Sequence, residues 1–290
     1  MQSILDIVVP GIVLGCIYGL IGMSYAVVYQ ATRVVNFALG EVMMVIAYLS
    51  FTIQNHLGVG LLGLVPLTIA VSAVVGLAVE YFVIRPMRGQ PIFAVVMSTI
   101  GLAIVLRSAT SMIWGALPLP ITSDLSASYY NVLGVNLSLP QILVVVLLVF
   151  VSIAVTIFFH FTRIGLLVRA TSSDESTAQL MGIRVGSIRQ LAWLGSAVIA
   201  GLTGILLALI QSLGPDLFLV GFKGFPASVL GGLDSVVGSG LGGAIIGVIE
   251  NVVGRFYGSG LKEIAGLAVI VFVLMVRPSG LFGQRSVERV

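Results

Sequence analysis

At 290 residues, with 58% of positions hydrophobic, 9% charged and a mean hydropathy of +1.16, the chain lies far from soluble composition, where about a quarter of residues are charged. It reads as an integral membrane protein. A water-soluble enzyme and a nucleic-acid binder are excluded, because the net charge of +3 comes from scattered Lys and Arg with no basic run to track phosphates.

The N-terminus opens with Met1-Gln2-Ser3-Ile4 and carries Asp6 in place of a positive n-region, and the apolar run behind it has full transmembrane length. The first segment is therefore expected to stay in the mature protein. The lone cysteine, Cys16, lies inside that run and has no intramolecular disulfide partner.

A bilayer core takes about 20 apolar residues per helix. Runs of that length fall at 5–29, 61–84, 91–114, 140–160, 189–211 and 235–254, with shorter candidates at 37–54 and 263–277. The expected fold is an all-α polytopic membrane protein of about eight transmembrane helices, a single domain over 1–290. A further apolar stretch, 217–232, is short and punctuated by Gly221, Gly224, Pro226, Gly231 and Gly232, which predicts a discontinuous or re-entrant segment.

Lys and Arg near span ends favour the cytoplasm. Arg85 and Arg88 mark one inner loop, and Arg163, Arg169, Arg184 and Arg189 mark a second. The stretch 115–139 holds only Asp124 and is expected outside, which places Arg33 inside and the N-terminus outside. The tail with Arg277, Arg285 and Arg289 belongs inside if 217–232 crosses the membrane as a discontinuous element lining a polar path; otherwise the tail faces outward.

Glycine recurs every fourth position as Gly11, Gly15 and Gly19, then as Gly238 with Gly242 and Gly243 with Gly247. Such spacing lets helix backbones approach closely, within the bundle or at a dimer seam. A weak internal similarity links Phe37-Ala38-Leu39-Gly40-Glu41 to Ser228-Val229-Leu230-Gly231-Gly232, too short to establish a repeat.

The inner loop 162–189 is longer than a connection needs. Ser172-Ser173-Asp174-Glu175 fits a capping box between Ser172 and Glu175, followed by a short helix through Thr177, Ala178, Gln179, Leu180 and Met181. Gly182 supplies a left-handed stop, and Ser187 is expected to cap the helix entering the membrane at Gln190. Leu180, Met181 and Ile183 offer an apolar edge among Arg169, Arg184 and Arg189. Such a knob suits docking to a soluble subunit; folding of the loop against its own bundle is the alternative.

The run Arg163-Ile164-Gly165-Leu166-Leu167-Val168-Arg169-Ala170 with Ala178-Gln179-Leu180-Met181-Gly182-Ile183 resembles the coupling loop of permeases of the branched-chain amino acid ABC importers, the high-affinity leucine/isoleucine/valine type. Val35-Asn36-Phe37-Ala38-Leu39-Gly40-Glu41, Ala227-Ser228-Val229-Leu230-Gly231-Gly232-Leu233 and the closing Arg277-Pro278-Ser279-Gly280-Leu281-Phe282-Gly283 resemble the same family in the same order.

The resemblance implies a permease paired with a homologous second permease or a second copy of itself, two cytoplasmic ATPases and a periplasmic binding protein, in the bacterial inner membrane. It implies a coupling role for the loop, where Arg169, Glu175, Ala178, Leu180 and Gly182 are the candidates. The chain has no Walker-type glycine loop, so it is not expected to be an enzyme or to bind a cofactor, and ATP and Mg belong to the partner ATPases. The family commonly has His where this chain has Leu39, which removes a donor and a titratable site. Either the substrate preference has moved or the position is one of packing.

Intramembrane ionisable residues are functional candidates because burying them is costly. Glu41 and Asn36 rank first, flanking a small-residue turn, although capping the N-terminus of the span accounts for them equally simply; with Leu39, Gly40, Ser228, Gly231 and Gly232 they form the expected substrate path. Glu250 lies toward the end of a span, Glu80 one turn before Arg85 at the interface, and Arg107 about 24 Å along its helix, where snorkelling to the outer headgroups is expected. His56 and His160 are too separated for a metal site and fall at span ends. A rival to the importer is an ion-coupled secondary transporter acting without an ATPase, with Glu41, Glu80 or Glu250 binding the ion.

Overall fold

The computed structural model describes residues 2–58, 60–119, 121, 128–132 and 134–283. Eleven α-helices and one hairpin follow each other: α1 (Gln2–Thr32), α2 (Leu39–Leu57), α3 (Leu61–Val79), α4 (Ile92–Trp114), β1 (Tyr129–Val132), β2 (Val135–Ser138), α5 (Leu139–Phe161), α6 (Arg163–Ser173), α7 (Glu175–Leu180), α8 (Val185–Gln211), α9 (Leu217–Gly231), α10 (Val236–Tyr257) and α11 (Ser259–Val276). Among the described residues, six helices are long and apolar enough to cross a membrane: α1, α3 with its extension, α4, α5, α8 and α10. The fold is the expected all-α polytopic bundle, whereas a count of eight spans is not established by length and apolarity.

The helices sort by how much of their surface meets protein. In α1 and α8, 67% of the most apolar window is buried, against 17% in α4 and α5. The first pair forms the centre, while α4 and α5 turn Ile104, Val105, Val146 and Phe150 outward. An all-round hydrophobic helix suits either position, because lipid tails are as apolar as the core.

Glycine spacing sets the tightest seam. A β-carbon on Gly15 of α1 would stand 2.6 Å from the Ala244 Cα of α10, and one on Gly243 or Gly247 would overlap the backbone of Gly19 or Gly15. Gly238 and Gly242 meet Gly231 and Ala227 of α9 in the same way. The glycine stripes thus pack inside this bundle.

The stretch expected to be discontinuous is one unbroken helix over Leu217–Gly231. Its helix breakers serve contact and termination: Gly221 and Gly224 let α9 touch Gly40 and Gly22, and Gly232 at φ 102° ends the helix. Fifteen residues give about 22 Å, less than a full hydrocarbon core. Leu217 at its start is buried, and its end receives the amides of Leu281 and Phe282 on the carbonyls of Leu230 and Gly231. The tail therefore closes on the end of the bundle that carries Arg33, which pairs with Asp234 beyond α9. The similar stretches 37–41 and 228–232 start one helix and finish another, so they do not mark equivalent units.

Candidate functional site

The chain leaves α1 at Thr32, turns through Arg33 at φ 54° and runs back into the bundle before α2 begins. Asn36 Oδ1 accepts from the Ala38 amide at 3.0 Å, and the Phe37 amide donates to Thr99 Oγ1 at 3.3 Å. Thr99 lies seven residues into α4, about 10 Å along it, so α2 starts well inside the span. Glu41 sits in its first turn, where the partial positive charge of the helix N-terminus favours a carboxylate.

Arg107 of α4 donates from Nη2 to Glu41 Oε1, and its guanidinium carbon lies 3.5 Å from the ring centroid of Phe218 on α9. The expected snorkelling to the outer headgroups is thus corrected: Arg107 turns to a buried acid and an aromatic face. A buried carboxylate without a cation would cost several kcal/mol, which favours the inward turn of the arginine.

Among the other expected path residues, Asn36, Leu39 and Gly40 are buried, with Gly40 against Phe218 and Gly221. The buried Ser228 hydroxyl donates to the Phe225 carbonyl at 2.7 Å, and Gly231 and Gly232 pack on Gly238 and Gly283. The structure thus joins Asn36, Leu39, Gly40 and Glu41 around one turn, and places Ser228, Gly231 and Gly232 further along α9, toward the Arg33 end.

The two remaining buried acids also have cations. Glu80 opens a single π-helical turn, Glu80–Ile84, and accepts from Arg88 at 2.5 Å and from Gln190 at 3.4 Å. The expected interfacial position near Arg85 is corrected: Glu80 is buried and its partner is Arg88, while Arg85 lies over Tyr81. Glu250 accepts from Tyr18 at 3.0 Å and from Lys223 at 3.2 Å. Sequence reasoning overlooked Lys223, although it is the one Lys or Arg within the apolar run 217–232.

At the Arg33 end, 162–184 folds into two helices. Thr162 caps α6 by accepting from the Gly165 amide at 3.0 Å, so much of the region read as a loop is helical. The second cap differs from the expected box. α6 runs through Ser172 and Ser173, and Asp174 caps α7 by accepting from the Thr177 amide at 3.1 Å and the hydroxyls of Ser176 and Thr177, both at 2.6 Å. An ionised carboxylate accepts several bonds where a serine hydroxyl accepts fewer. Those donors hold the Asp174 carboxyl below the usual carboxylate range.

Gly182, at φ 82°, closes α7 in a Schellman motif, with the Gly182 amide on the Gln179 carbonyl and the Ile183 amide on that of Ala178, both at 3.0 Å. Ser187 is inside α8, which starts at Val185 without a side-chain cap, so that expected cap is absent. Ala178 is buried, and Glu175 accepts from Arg189 of α8 at 2.5 Å. Leu180 and Met181 are 88% and 79% exposed, whereas Ile183 packs on the core. The short helix is thus held from beneath while its apolar tip is free.

At the Arg33 end, a cavity of about 880 Å³ opens between α1, α5, α6 and the start of α10. Gln30, Arg33, His160, Arg169, Ser172 and Asp234 line it. Arg169 thus faces this vestibule of mixed polar and apolar lining rather than the Leu180 tip. Both histidines lie in the last turn of a helix, His56 in α2 and His160 in α5.

Residues 7–276 match the family described as "Branched-chain amino acid transport system / permease component". BraD of Pseudomonas aeruginosa, a high-affinity branched-chain amino acid transport system permease protein, is 31% identical, covering 97% of this chain and 96% of its own length. LivH of Escherichia coli strain K12, with the same description, is 29% identical over the same shares. Among solved structures, PsaBC from Streptococcus pneumoniae in complex with Fab aligns over 94% of this chain and 91% of that one, at 15% identity and a TM-score of 0.48. Because the family match runs from α1 to the last residue of α11, the chain belongs to the permease components of branched-chain amino acid transport systems, as a multi-pass protein of the bacterial inner membrane.

Proposed function

We propose that this permease is a membrane-spanning subunit of an ATP-driven ABC importer, carrying branched-chain amino acids or a related small polar solute by alternating access. Its partners are a homologous permease or a second copy of itself, two cytoplasmic ATPases that bind ATP and Mg, and a periplasmic solute-binding protein. The permease supplies the path and no bond-breaking chemistry.

The observation that carries this reading is the construction of α7. Six residues of helix are marginal alone, yet the Asp174 cap, the Schellman stop at Gly182, the buried Ala178 and the Glu175–Arg189 pair all fix this one. Its exposed tip, Leu180 with Met181, has no partner within the described part of the bundle that would bury it. A rigid helix with an apolar tip at the arginine-rich end transmits force from a soluble subunit. By contrast, Glu41, Glu80 and Glu250, the acids an ion-coupled carrier would use, are each paired with a protein cation.

The test is affinity purification of the tagged chain in mild detergent from its own membrane. Two ATPase polypeptides and a second permease, or a doubled copy of this one, should be retained at fixed stoichiometry. A chain that purifies alone under conditions preserving its helical content would overturn the reading.

A further inference from the structure

We infer that Glu41 and Arg107, walled by Phe218, form the station at which a zwitterionic solute is held inside the membrane. This rests on the importer reading above and names the chemistry its path recognises.

The pair lies within the span, nearer the C-terminal end of α4 than its start. Arg107 stands fifteen residues from the start of α4 and seven from its end, about 22 Å and 10 Å along the axis. The start of α2 lies beside Thr99 of the same helix. The helix end that carries Glu41 therefore lies inside the span rather than at its surface, and Arg107 stands about 10 Å from the nearer end of α4.

The two side chains are unequally enclosed, 5% exposed for Glu41 and 44% for Arg107. A guanidinium half open at that depth is costly against lipid and is expected to face a polar path or another protein surface. Two further features distinguish this pair from a structural tie. Within the described residues, Arg107 makes one hydrogen bond to protein, and the Glu41 Oε2 atom accepts none. Spare donors and a spare acceptor therefore lie side by side. The Glu250 carboxylate, in contrast, already accepts from both Tyr18 and Lys223.

The surroundings supply the third element. Phe218 stacks on Arg107, and Leu219 and Phe222, each 53% exposed, continue the apolar outer stripe of α9. A free guanidinium edge takes a carboxylate, a free carboxylate oxygen takes an ammonium, and the aromatic wall takes an aliphatic side chain. An α-amino acid with an apolar side chain carries these three groups on one carbon. An organic acid satisfies only the arginine, and an uncharged sugar matches neither charge.

The experiment uses the complete transporter with its co-purifying subunits in proteoliposomes, with radiolabelled L-leucine as the probe. The double variant Glu41→Gln/Arg107→Gln removes both charges together, so that neither is left buried without its partner, and keeps a polar amide at each position. It should keep subunit assembly and melting behaviour and lose about tenfold or more of uptake, as expected when one charge-assisted hydrogen bond is given up. Wild-type uptake by that variant would make the pair a structural tie only. Should it fail to assemble, Arg107→Lys keeps the charge but loses the forked donors and the flat stack on Phe218; a several-fold fall in uptake supports the station, and no change overturns it. If the wild-type complex leaves leucine outside, the substrate class of the preceding section is wrong, and the same variants are assayed with the solute retained by the binding protein. A zwitterionic cargo that the variants fail to carry supports the station; an uncharged cargo overturns it.

Discussion

The Lys223 ammonium on α9 lies 3.2 Å from the Glu250 carboxylate on α10, so the short helix is tied to the bundle by charge as well as by the glycine contacts around it. The Tyr18 hydroxyl of α1 donates to the same carboxylate at 3.0 Å, which joins three helices at one buried oxygen pair.

Removing one member of that group leaves an uncompensated charge in a low-dielectric interior. Lys223→Met should lower stability by about 3 kcal/mol, the lower end for breaking a buried pair because Lys223 is partly exposed. The double variant Lys223→Met/Glu250→Gln should recover most of that loss, since Tyr18 still finds an acceptor. Thermal unfolding in detergent, followed by size-exclusion chromatography, measures the difference. Equal losses in the single and double variants would contradict the account.

The α1–α10 seam gives a sharper contrast. A β-carbon on Gly243 would overlap the Gly19 backbone, whereas one on Gly101 of α4 meets nothing within 4 Å. Gly243→Ala should therefore reduce the amount of folded protein severely. Gly101→Ala should be neutral or raise stability by up to about 1 kcal/mol through helix propensity alone. The yield of monodisperse protein distinguishes the two, and a tolerated alanine at 243 would refute the seam.

The pH behaviour of α7 follows from its cap. The donors around Asp174 depress its folded-state titration below the unfolded value of about 3.9. The capping contribution is accordingly present in full above that value and is lost as pH falls through the depressed one. Hydrogen exchange at the Thr177 amide, corrected for its intrinsic rate, should show constant protection from pH 8 to pH 5 and a decline only at stronger acidity. Protection that fades between pH 7 and pH 6 would mean that another group holds this helix.

Much of the bundle was legible in the sequence because apolar length and glycine spacing are local signals. The stripe Gly11, Gly15 and Gly19 announced a close approach, and Gly182 announced a left-handed stop. What stayed hidden depends on side-chain reach across helices. Position along α4 placed Arg107 near the outer surface, but its long side chain turns inward to Glu41, and nothing within α4 reveals that. The cap of α7 was displaced for a related reason: α6 continues through Ser172 and Ser173, and Asp174 satisfies three donors at once. In 217–232 the breakers were read as interruptions, although in a crowded bundle small residues are contact surfaces.

Leu180 and Gly182 separate docking from folding. Leu180 is 88% exposed, so Leu180→Ala removes little that holds the chain together and should weaken ATPase retention and uptake together. Nothing lies within 4 Å of a β-carbon on Gly182, so Gly182→Val acts only through its left-handed backbone, at about 1 kcal/mol. Gly182→Asn, which tolerates that conformation, should retain most of the coupling. Co-purification of the ATPase with each variant is the readout, and wild-type retention by Leu180→Ala and Gly182→Val alike would reduce α7 to a folded connection.

The central claim is that this permease moves its solute through ATP hydrolysis on other subunits. L-leucine accumulation in proteoliposomes tests it most directly, comparing the complete complex supplied with ATP and binding protein against the isolated chain under an imposed proton or sodium gradient. Uptake should appear with the complete complex, stop when ATP or the binding protein is withheld, and be absent from the isolated chain under either gradient. Accumulation by the isolated chain under an ion gradient would contradict the account.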